Sequence, residues 1–291
     1  MQRLCHEFNG FRFSLSTPCA ELAGEARLMF SALIKEWCDP EVEWIVEKSP
    51  DGLSEKAGYV IREVHRAEKF PDPAVFYAEH PEEILEMLEW QVTLGLLGRS
   101  HGYLQVHASC VEMNGKALLL VGNPGSGKTT LALAMLAAGR RCLSDEVAVI
   151  DARNFYVLPF ARCFHVDEKV VNLIPEISAK GALGSFRETT GKLRLDPGGF
   201  NGSWAVSGAA LGWIVFLDRS LGSADTLKPV TKAEAFGLLM KQTINLLDYG
   251  EGGIRHLTEL IERCPCFLFM SGDIHKSVKV LNTLTRALRN Q

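Results

Sequence analysis

The sequence predicts an α/β protein in two parts, a smaller α+β domain over residues 1–100 and a larger α/β domain over residues 101–291. Three observations predict this division. The chain of 291 residues is long enough for one large domain or two modest ones. The first hundred residues contain a strand-like alternation and helix-like periodicities. From Gly102 onward, short apolar strands alternate with helical segments.

The N-terminal part combines one predicted strand with two predicted helices. Residues 8–17 (FNGFRFSLST) alternate apolar and polar residues, as a half-buried strand does. Residues 80–100 begin with Pro81 and two glutamates and continue in helical register, which predicts a helix. Between these segments, five apolar residues share one helical face: Leu22, Ala26, Met29, Phe30 and Leu33.

The centre of the chain predicts a hairpin, a glycine-rich loop and a helix. The segments YLQVHASCVEM and KALLLVG flank Asn114-Gly115, and Asn-Gly between apolar runs is a strong hairpin signal. The glycine-rich loop and the helix TTLALAMLAA follow, and Gly139 ends that helix. The short strand RCLSD comes next. The sterics of crossover connections predict that RCLSD lies beside KALLLVG, with its carboxyl end at the loop.

The C-terminal part predicts further strands and two helices. A run of strands follows Asp151, and the span from Lys180 to Ser207 is rich in loop-forming residues. Residues 211–218 (LGWIVFLD) predict a buried strand, and residues 232–247 (KAEAFGLLMKQTINLL) predict a helix. A last strand at residues 266–273 (CFLFMSGD) precedes a terminal helix.

The composition gives no indication of a nucleic acid or membrane partner. A formal net charge of −4 creates no field that attracts nucleic acid or an anionic bilayer. No apolar run approaches the roughly 18 residues of a membrane-spanning helix, and the first residues lack a cleavable apolar segment. We therefore expect a cytoplasmic protein. Its eight cysteines are expected to be reduced core residues.

Residues 122–129 match the Walker A pattern G-x-x-x-x-G-K-[ST]. Glycines let the backbone of the phosphate loop, residues 122–127, wrap so that N–H groups point at a β-phosphate. Lys128 is expected to neutralise β- and γ-phosphate oxygens, and the Thr129 hydroxyl to bind Mg²⁺. The position between an apolar strand and a helix argues against an incidental glycine-rich turn. The residues predicted to bind the nucleotide are Gly122, Asn123, Pro124, Gly125, Ser126, Gly127, Lys128, Thr129 and Thr130.

Two features next to the phosphate loop have open interpretations. The acidic pair Asp145-Glu146 follows the strand RCLSD, where one carboxylate can accept the proton of an attacking hydroxyl while the other holds Mg²⁺. A solvated acidic turn is the alternative interpretation. His107 lies in the hairpin strand that leads into the loop. It is either a structural histidine or a residue that approaches the γ-phosphate.

The segment HASCVEMNGKALLLVGNPGSGKTTLALAMLAAGRRCLSDEVAVID resembles the core of the HPr kinase/phosphorylase family. The resemblance covers Val106 to Asp151 and includes the histidine before the hairpin, the phosphate loop, the helix-to-strand step AGRRCLSDE and the acidic pair. It implies a P-loop kinase core of the HPr kinase/phosphoenolpyruvate carboxykinase type, with the smaller α+β domain at the N-terminus. Because related kinases assemble into oligomers, it also makes a homo-oligomer one expected arrangement.

The resemblance assigns roles to individual residues. His107 matches the family histidine near the phosphates, and Lys128 and Thr129 match the residues that bind ATP and Mg²⁺. Asp145 matches the proton-accepting aspartate. Glu146 replaces the second aspartate, and its longer side chain is expected to hold Mg²⁺ through water. In bifunctional members the same aspartate serves the reverse reaction, in which orthophosphate cleaves phosphoserine.

The sequence departs from the family pattern after the acidic pair. LPFARCFHVDEKVVNLIPE stands where the family has a glycine-rich signature, so the acceptor is expected to be another protein, a peptide or a small molecule with a hydroxyl group. Arg162 is either a bridge between acceptor and γ-phosphate or a surface arginine. Arg187 and Lys192 lie in RETTGKLRLDPGGFNG, which is either a mobile loop over the phosphates or a disordered connector.

These features favour an ATP- and Mg²⁺-dependent kinase that transfers the γ-phosphoryl group to a serine-like hydroxyl. Two other classes use the same loop. One is a nucleotide-binding switch or ATPase module without an acceptor, and the other is a phosphate-dependent phosphorylase.

Overall fold

The computed structural model shows a mixed α/β protein. Within the described residues the strands form three sheets, of six, eight and three strands. The chain divides into two compact units, and each of them consists of three separate segments of the sequence. The structure describes residues 1–49, 58–65, 74–180, 182–199, 204–205, 207–218 and 225–287.

Strands and helices occur throughout the described part of the chain. The strands are β1 Gln2–Phe8, β2 Phe11–Thr17, β3 Ile34–Lys35, β4 Val42–Lys48, β5 Tyr59–His65, β6 Ala74–Ala78, β7 Tyr103–Met113, β8 Lys116–Val121, β9 Arg141–Ser144, β10 Val147–Asp151, β11 Tyr156–Leu158, β12 Phe164–Val166, β13 Ala182–Arg187, β14 Leu193–Asp196, β15 Ala209–Leu217, β16 Thr226–Pro229 and β17 Cys266–Met270. The α-helices are α1 Ala20–Met29, α2 Pro81–Gly98, α3 Lys128–Ala137, α4 Glu168–Leu173, α5 Pro175–Lys180, α6 Lys232–Met240, α7 Glu251–Arg263 and α8 Ile274–Ala287.

Unit 1 comprises Met1–Ser100, Arg162–Lys169 and Ala182–Asp196. Its six-stranded sheet has the order β3-β1-β2-β4-β5-β6, and α1 and α2 pack against this sheet. The three-stranded sheet β12-β14-β13 belongs to the same unit, since β13 and β14 contact α1. The sequence-based boundary at residue 100 assigns the two later segments to the second domain. The structure places them in unit 1, where carboxylates of α1 and α2 bond to β13 and β14.

The beginning of unit 1 differs from the sequence-based prediction. Residues 8–17 do not form one strand, because Asn9 and Gly10 have φ of 48° and 82° and reverse the chain between β1 and β2. The predicted strand is therefore the second half of a hairpin. The five residues predicted to share one helical face, Leu22, Ala26, Met29, Phe30 and Leu33, are all buried. The prediction of a single helix is correct only as far as Met29, where α1 ends, because Phe30 and Leu33 lie beyond it, Leu33 in a 3-10 turn. The predicted helix at Pro81 is also confirmed, as α2.

Unit 2 comprises His101–Ala161, Val170–Gly181 and Pro197–Gln291. Its large sheet has the order β11-β10-β7-β8-β15-β17-β16, with β9 paired to β7. The strands β8, β15 and β17 are parallel to one another. Their carboxyl ends therefore lie along one edge of the sheet, which is where ligands bind in sheets of this kind.

The predicted hairpin between β7 and β8 is confirmed. The two strands pair from Ala108↔Val121 to Met113↔Lys116, and Asn114 and Gly115 form the turn with φ of 52° and 82°. The predicted place of RCLSD beside KALLLVG is wrong, because β9 pairs with β7. Both edges of β8 are occupied, one by β7 and the other by β15.

Two further boundaries differ from the predictions. The span from Lys180 to Ser207 contains β13 and β14, joined by a turn in which Gly191 has φ of 82°. Residues 181, 200–203 and 206 of this span lie outside the described residues. The helix α6 ends at Met240, and the chain then runs beside β7, where Ile244 N–H donates to Gln105 O at 2.7 Å. The last strand and the terminal helix are confirmed as β17 and α8.

The buried side chains of unit 2 form an apolar core around the large sheet, with members from β7, β8, β10, β15 and the helices α6 and α7. Six of the eight cysteines are buried, which agrees with the expectation that the cysteines are core residues. Among the described helices, none combines the length and the apolar character needed to cross a bilayer.

Candidate active site at the phosphate loop

The phosphate loop connects the end of β8 to the start of α3 in unit 2. Gly125 and Gly127 have φ of 80° and 94°, a backbone conformation that glycine adopts without steric cost. A Cβ atom on Gly122 would lie 2.6 Å from Ser126 Oγ and 3.0 Å from Leu217 O. The glycines of the sequence pattern therefore permit a tight loop packed against the end of β15.

The loop and the first turn of α3 present donors suited to an anion. The first N–H groups of a helix have no intrahelical acceptor, and Gly127 at the N-cap supplies no side chain to cap α3. The partial positive charge of the helix N-terminus adds to this effect. Ser126 Oγ is buried and has no hydrogen-bond partner among the described residues. The site thus has the donor set that binds phosphate oxygens.

Lys128 lies over the loop, and its side chain is nearly buried. Its Nζ donates to Gly122 O at 2.7 Å and to Asn123 O at 3.3 Å. Burial lowers the pKa of Lys128, and the nearby carboxylates of Asp145 and Glu146 partly oppose this effect. The ammonium group is therefore held between the loop and the acidic pair.

A sharp bend between β9 and β10 positions the acidic pair. Val147 N–H donates to Asp145 O at 3.0 Å, which closes a γ-turn centred on Glu146. Glu146 has φ of 69°, a strained value for a residue with a long side chain. Ala108 N–H of β7 donates to Glu146 O at 3.0 Å and ties the bend to the neighbouring strand.

Asp145 joins the bend to the first turn of α3 and to β7 through hydroxyl groups. Thr129 Oγ1 donates to Asp145 Oδ2 at 3.0 Å, and Ser109 Oγ donates to Asp145 Oδ1. Asp145 is only 2% exposed. The sequence analysis missed Ser109, although it lies two residues after His107 in β7 and residues i and i+2 of a strand share a face.

His107 lies half-buried on β7 beside these groups. Burial lowers its pKa, Lys128 lowers it further, and Glu146 partly opposes both effects. The backbone N–H of His107 donates to Gln242 O at 2.7 Å, in the segment that follows α6. The structure therefore brings together four residues that the sequence selected: His107, Lys128, Asp145 and Glu146.

A cleft of about 400 Å³ opens beside the phosphate loop. It is bordered by the loop, by the carboxyl ends of β15 and β17, and by residues at the end of α6. Gln242 Nε2 donates to Asn123 Oδ1 at 3.1 Å and links that segment to the loop. The volume lies within the range of about 300–1,000 Å³ that is typical of small-molecule sites.

Three further residues were candidates for the site from the sequence. All three belong to unit 1: Arg162, Arg187 and Lys192. Arg162 is buried, which excludes the surface arginine considered from the sequence, and it donates to Thr93 Oγ1 at 3.2 Å. Arg187 ends β13, is exposed and donates to Gly191 O at 3.2 Å. The backbone carbonyl of Lys192 accepts a hydrogen bond from the Glu188 N–H in the turn before β14. The span RETTGKLRLDPGGFNG thus forms a strand-and-turn structure over its described residues.

A second cluster of ionisable residues lies inside unit 1. The Glu89 carboxylate is 2.9 Å from His165 Nε2 and 3.0 Å from Arg194 Nε, and His165 Nδ1 bonds to Glu188. Ligand atoms of Glu89, Cys163 and His165 lie within 4.8 Å of one another, which is compatible with a metal ion. However, two guanidinium groups already pair with Glu89, those of Arg162 and Arg194. The cluster is therefore best described as a buried ion network.

Comparisons with known proteins detect a local similarity. No protein-family model matches the chain. A 56-residue segment is 38% identical to the HPr kinase/phosphorylase of Prosthecochloris aestuarii, and a 63-residue segment is 36% identical to that of Chlorobium phaeobacteroides. The resemblance to HPr kinase/phosphorylase is confirmed. The matched segments cover 19% and 22% of this chain, and they span only 16% and 19% of the length of these HPr kinase/phosphorylase relatives.

A solved structure is also similar, the Hpr(Ser) kinase/phosphatase from Coxiella burnetii. It is 14% identical, with a TM-score of 0.34, and the match covers 64% of this chain and 96% of the solved chain.

Proposed function

We propose that this protein is an ATP- and Mg²⁺-dependent kinase that transfers the γ-phosphoryl group to a serine-like hydroxyl of a protein, peptide or small molecule. One observation carries the proposal. Thr129 Oγ1 lies 3.0 Å from Asp145 Oδ2, so the acidic pair stands at the phosphate loop beside Lys128. A nucleotide-binding loop with carboxylates at this place has the groups that phosphoryl transfer to a hydroxyl needs. The similarity to HPr kinase/phosphorylase supports the same reaction class.

The donor set fits ATP and Mg²⁺. The loop offers backbone N–H groups and the unpartnered Ser126 hydroxyl to phosphate oxygens, and the adjacent cleft has room for the rest of a nucleotide. Thr129 and the acidic pair offer oxygen ligands, which Mg²⁺ prefers. When bound, Mg²⁺ would neutralise charge on the phosphates. Lys128 would add the protein's own positive charge there, since its ammonium group lies over the loop.

The acidic pair would serve the acceptor side of the reaction. The acceptor hydroxyl loses its proton as its oxygen bonds to the γ-phosphorus, and a carboxylate held nearby can take that proton. The resemblance assigns this role to Asp145 and a metal-holding role to Glu146. His107, near both Lys128 and Glu146, would interact with the γ-phosphate end of the nucleotide.

Label transfer tests the proposal. The protein is incubated with γ-labelled ATP, Mg²⁺ and lysate from its own source, with the Lys128→Ala variant in parallel. We expect label in a distinct macromolecule or metabolite, and none with the variant, because removal of Lys128 weakens triphosphate binding and turnover together. Lys279→Ala, which removes an exposed lysine from α8, should transfer label normally. Release of free phosphate alone would contradict the kinase and favour the switch or ATPase module.

A further inference from the structure

Three side chains that can bind a metal ion converge in unit 1. Glu89 lies on α2, and Cys163 and His165 follow it by 74 and 76 positions in the sequence. Glu89 and Cys163 are 3% and 2% exposed, and the side chain of His165 is 14% exposed. One ligand atom from each residue lies within 4.8 Å of the other two. A carboxylate, a thiol and an imidazole are donors that zinc sites in proteins use.

The separations between these atoms are close to those of a zinc site. Cys163 Sγ is 3.5 Å from Glu89 Oε1, and His165 Nε2 is 2.9 Å from the same oxygen. Around a tetrahedral Zn²⁺, the usual bond lengths place a sulfur ligand about 3.6 Å from an oxygen ligand, and a nitrogen ligand about 3.4 Å from it. The first separation therefore fits already. The second would have to widen by about 0.5 Å, which a small side-chain rotation provides.

Two of these ligands are held by a further hydrogen bond. His165 Nδ1 bonds to Glu188, and the other oxygen of Glu89, Oε2, accepts from Arg194 Nε at 3.0 Å. Metal-binding histidines almost always donate their second ring N–H to a carboxylate, a carbonyl or water, and metal-binding carboxylates are hydrogen-bonded in turn. With its Nδ1 proton directed at Glu188, neutral His165 carries its lone pair on Nε2, the nitrogen beside Glu89 Oε1.

The two arginines of the network are compatible with Glu89 Oε1 as a ligand. Arg194 binds Oε2 and so does not compete for Oε1. Arg162 Nε is 3.5 Å from Oε1, which is longer than an ordinary hydrogen bond, and Arg162 also donates to Thr93 Oγ1 at 3.2 Å. A guanidinium group can keep its place beside a metal-binding carboxylate, as the hydrogen-bond partner that such a carboxylate needs.

A divalent ion would add no charge to this buried network. Burial raises the pKa of the Cys163 thiol to about 11. Burial lowers the pKa of His165, but Glu89, Cys163 and Glu188 outweigh burial and raise it. Without metal, Cys163 and His165 therefore each carry a proton that metal binding must remove. Zn²⁺ would take the place of these two protons, which leave to solvent, so the net charge of the buried groups stays the same.

We propose that Glu89 Oε1, Cys163 Sγ and His165 Nε2 form a binding site for Zn²⁺, with water in the fourth position. The buried ion network is then the metal-free form of this site. The ligands come from α2 and from segment 162–169, and Glu188 comes from segment 182–196. The ion would therefore join the first hundred residues of unit 1 to its two later segments. This inference is independent of the proposed kinase function.

Metal titration of the whole chain tests the proposal. The protein is stripped with a chelator and titrated with Co²⁺, whose charge-transfer absorption reports a thiolate ligand, and then with Zn²⁺, which should displace Co²⁺. The titrations are made at about pH 8, because binding releases protons. The melting temperature is measured with and without Zn²⁺.

Three variants and one control accompany the wild type. Cys163→Ser and His165→Gln each replace a ligand, and Glu188→Gln keeps all three ligands but changes the partner of His165 Nδ1. Cys38→Ser is the matched control, because Cys38 is another buried cysteine of unit 1 and does not belong to the cluster.

We expect the wild type to bind one Zn²⁺ per chain and to melt at a higher temperature with Zn²⁺ than without it. Cys163→Ser should lose the thiolate absorption. Glu188→Gln should bind either metal about 10–100-fold more weakly, the usual effect of losing the partner of a metal-bound histidine. His165→Gln should weaken binding further, and Cys38→Ser should match the wild type.

Two results would overturn the inference. One is a wild type that shows neither the thiolate absorption with Co²⁺ nor a rise in melting temperature with Zn²⁺. The other is an equal response in Cys163→Ser and Cys38→Ser, which would place the metal elsewhere. If Cys163→Ser does not fold, Glu188→Gln decides in its place, because unchanged metal affinity in that variant would contradict the site.

Discussion

The Thr129 hydroxyl lies 3.0 Å from Asp145 Oδ2, so the first turn of α3 meets the bend between β9 and β10. These two residues belong to different elements, and β9 reaches this point from its place beside β7. The contact therefore depends on the bend at Glu146, where the chain turns with φ of 69°. It connects the element that would hold the phosphates to the residues that would act on the acceptor.

Replacement of Thr129 by valine keeps the side-chain shape and removes the hydroxyl. We expect Mg²⁺ to lose most of its effect on nucleotide affinity, by roughly tenfold or more, because the variant lacks the hydroxyl that we propose binds Mg²⁺. Titration of a fluorescent ATP analogue with and without Mg²⁺ measures this. Thr129→Ser should retain the effect. Equal Mg²⁺ dependence in Thr129→Val and the wild type would show that this hydroxyl has no part in metal binding.

Replacement of Gly122 by alanine should disturb the phosphate loop. The new Cβ would lie 2.6 Å from Ser126 Oγ and 3.0 Å from Leu217 O, so the loop must shift. Overpacking of this kind costs about 1–3 kcal/mol, and we expect nucleotide affinity to fall about tenfold. Gly237→Ala on α6 is the matched control, since its Cβ would meet nothing within 4 Å. Unchanged affinity in Gly122→Ala, measured with the same analogue, would count against the loop as the phosphate site.

His6 should make unit 1 sensitive to acid. Its ring stacks on Phe13 with centroids 4.8 Å apart, and burial lowers its pKa to about 4. A folded pKa below the unfolded value of about 6.5 means that stability is complete above 6.5 and is lost as the pH falls from there toward 4. The loss at pH 4 is on the order of 3 kcal/mol.

Thermal unfolding between neutral and acidic pH tests this prediction. His6→Phe keeps a ring at the position and has no group to protonate, so its melting temperature should fall less than that of the wild type. An identical acid dependence in both proteins would show that His6 does not cause it.

The buried ion network of unit 1 should have the opposite pH dependence. Burial lowers the pKa of His165, but the combined effects of Glu89, Cys163 and Glu188 outweigh burial and raise it well above 6.5. A raised folded pKa gives stability that is complete below about 6.5 and is lost as the pH rises through the folded value. The charged or titratable groups around His165 are Glu89, Arg162, Cys163, Glu188 and Arg194.

His165→Gln provides the measurement for this network. At pH 6 the variant should be less stable by about 3–5 kcal/mol, the typical cost of removing one partner from a buried ion pair. The difference in stability between His165→Gln and the wild type should become smaller as the pH rises. His101→Gln, at an exposed position, should be close to the wild type at every pH. A difference in stability that stays constant across the pH range would mean that His165 stabilises unit 1 without its charge.

The sequence predicted those parts of the fold that depend on local signals. Asn114-Gly115 between apolar runs predicted the β7–β8 hairpin, and Pro81 predicted the start of α2. The same Asn-Gly signal occurs at Asn9-Gly10, but the apolar–polar alternation of residues 8–17 runs across this turn and so predicts one strand where the structure has a hairpin. The partner of β9 could not be obtained locally, since it depends on β15 occupying the free edge of β8.

The sequence predicted those residues of the candidate site that belong to a recognisable motif. The Walker A pattern and the acidic pair led to Lys128, Thr129 and Asp145, which the structure brings together. Ser109 carries no motif, and its contact with Asp145 depends on the bend at Glu146. In the ion network of unit 1, Glu89 contacts His165 and Arg194, which lie 76 and 105 positions away in the sequence, and no spacing rule connects them.

A structure of the protein with Mg²⁺ and a non-hydrolysable ATP analogue tests the central claim most directly. We predict the β-phosphate against the N–H groups of the phosphate loop, and the γ-phosphorus within roughly 5 Å of a carboxyl oxygen of Asp145 or Glu146, close enough for a shared acceptor hydroxyl. A triphosphate bound elsewhere, or a γ-phosphorus more than roughly 10 Å from both carboxyl groups, would contradict the account.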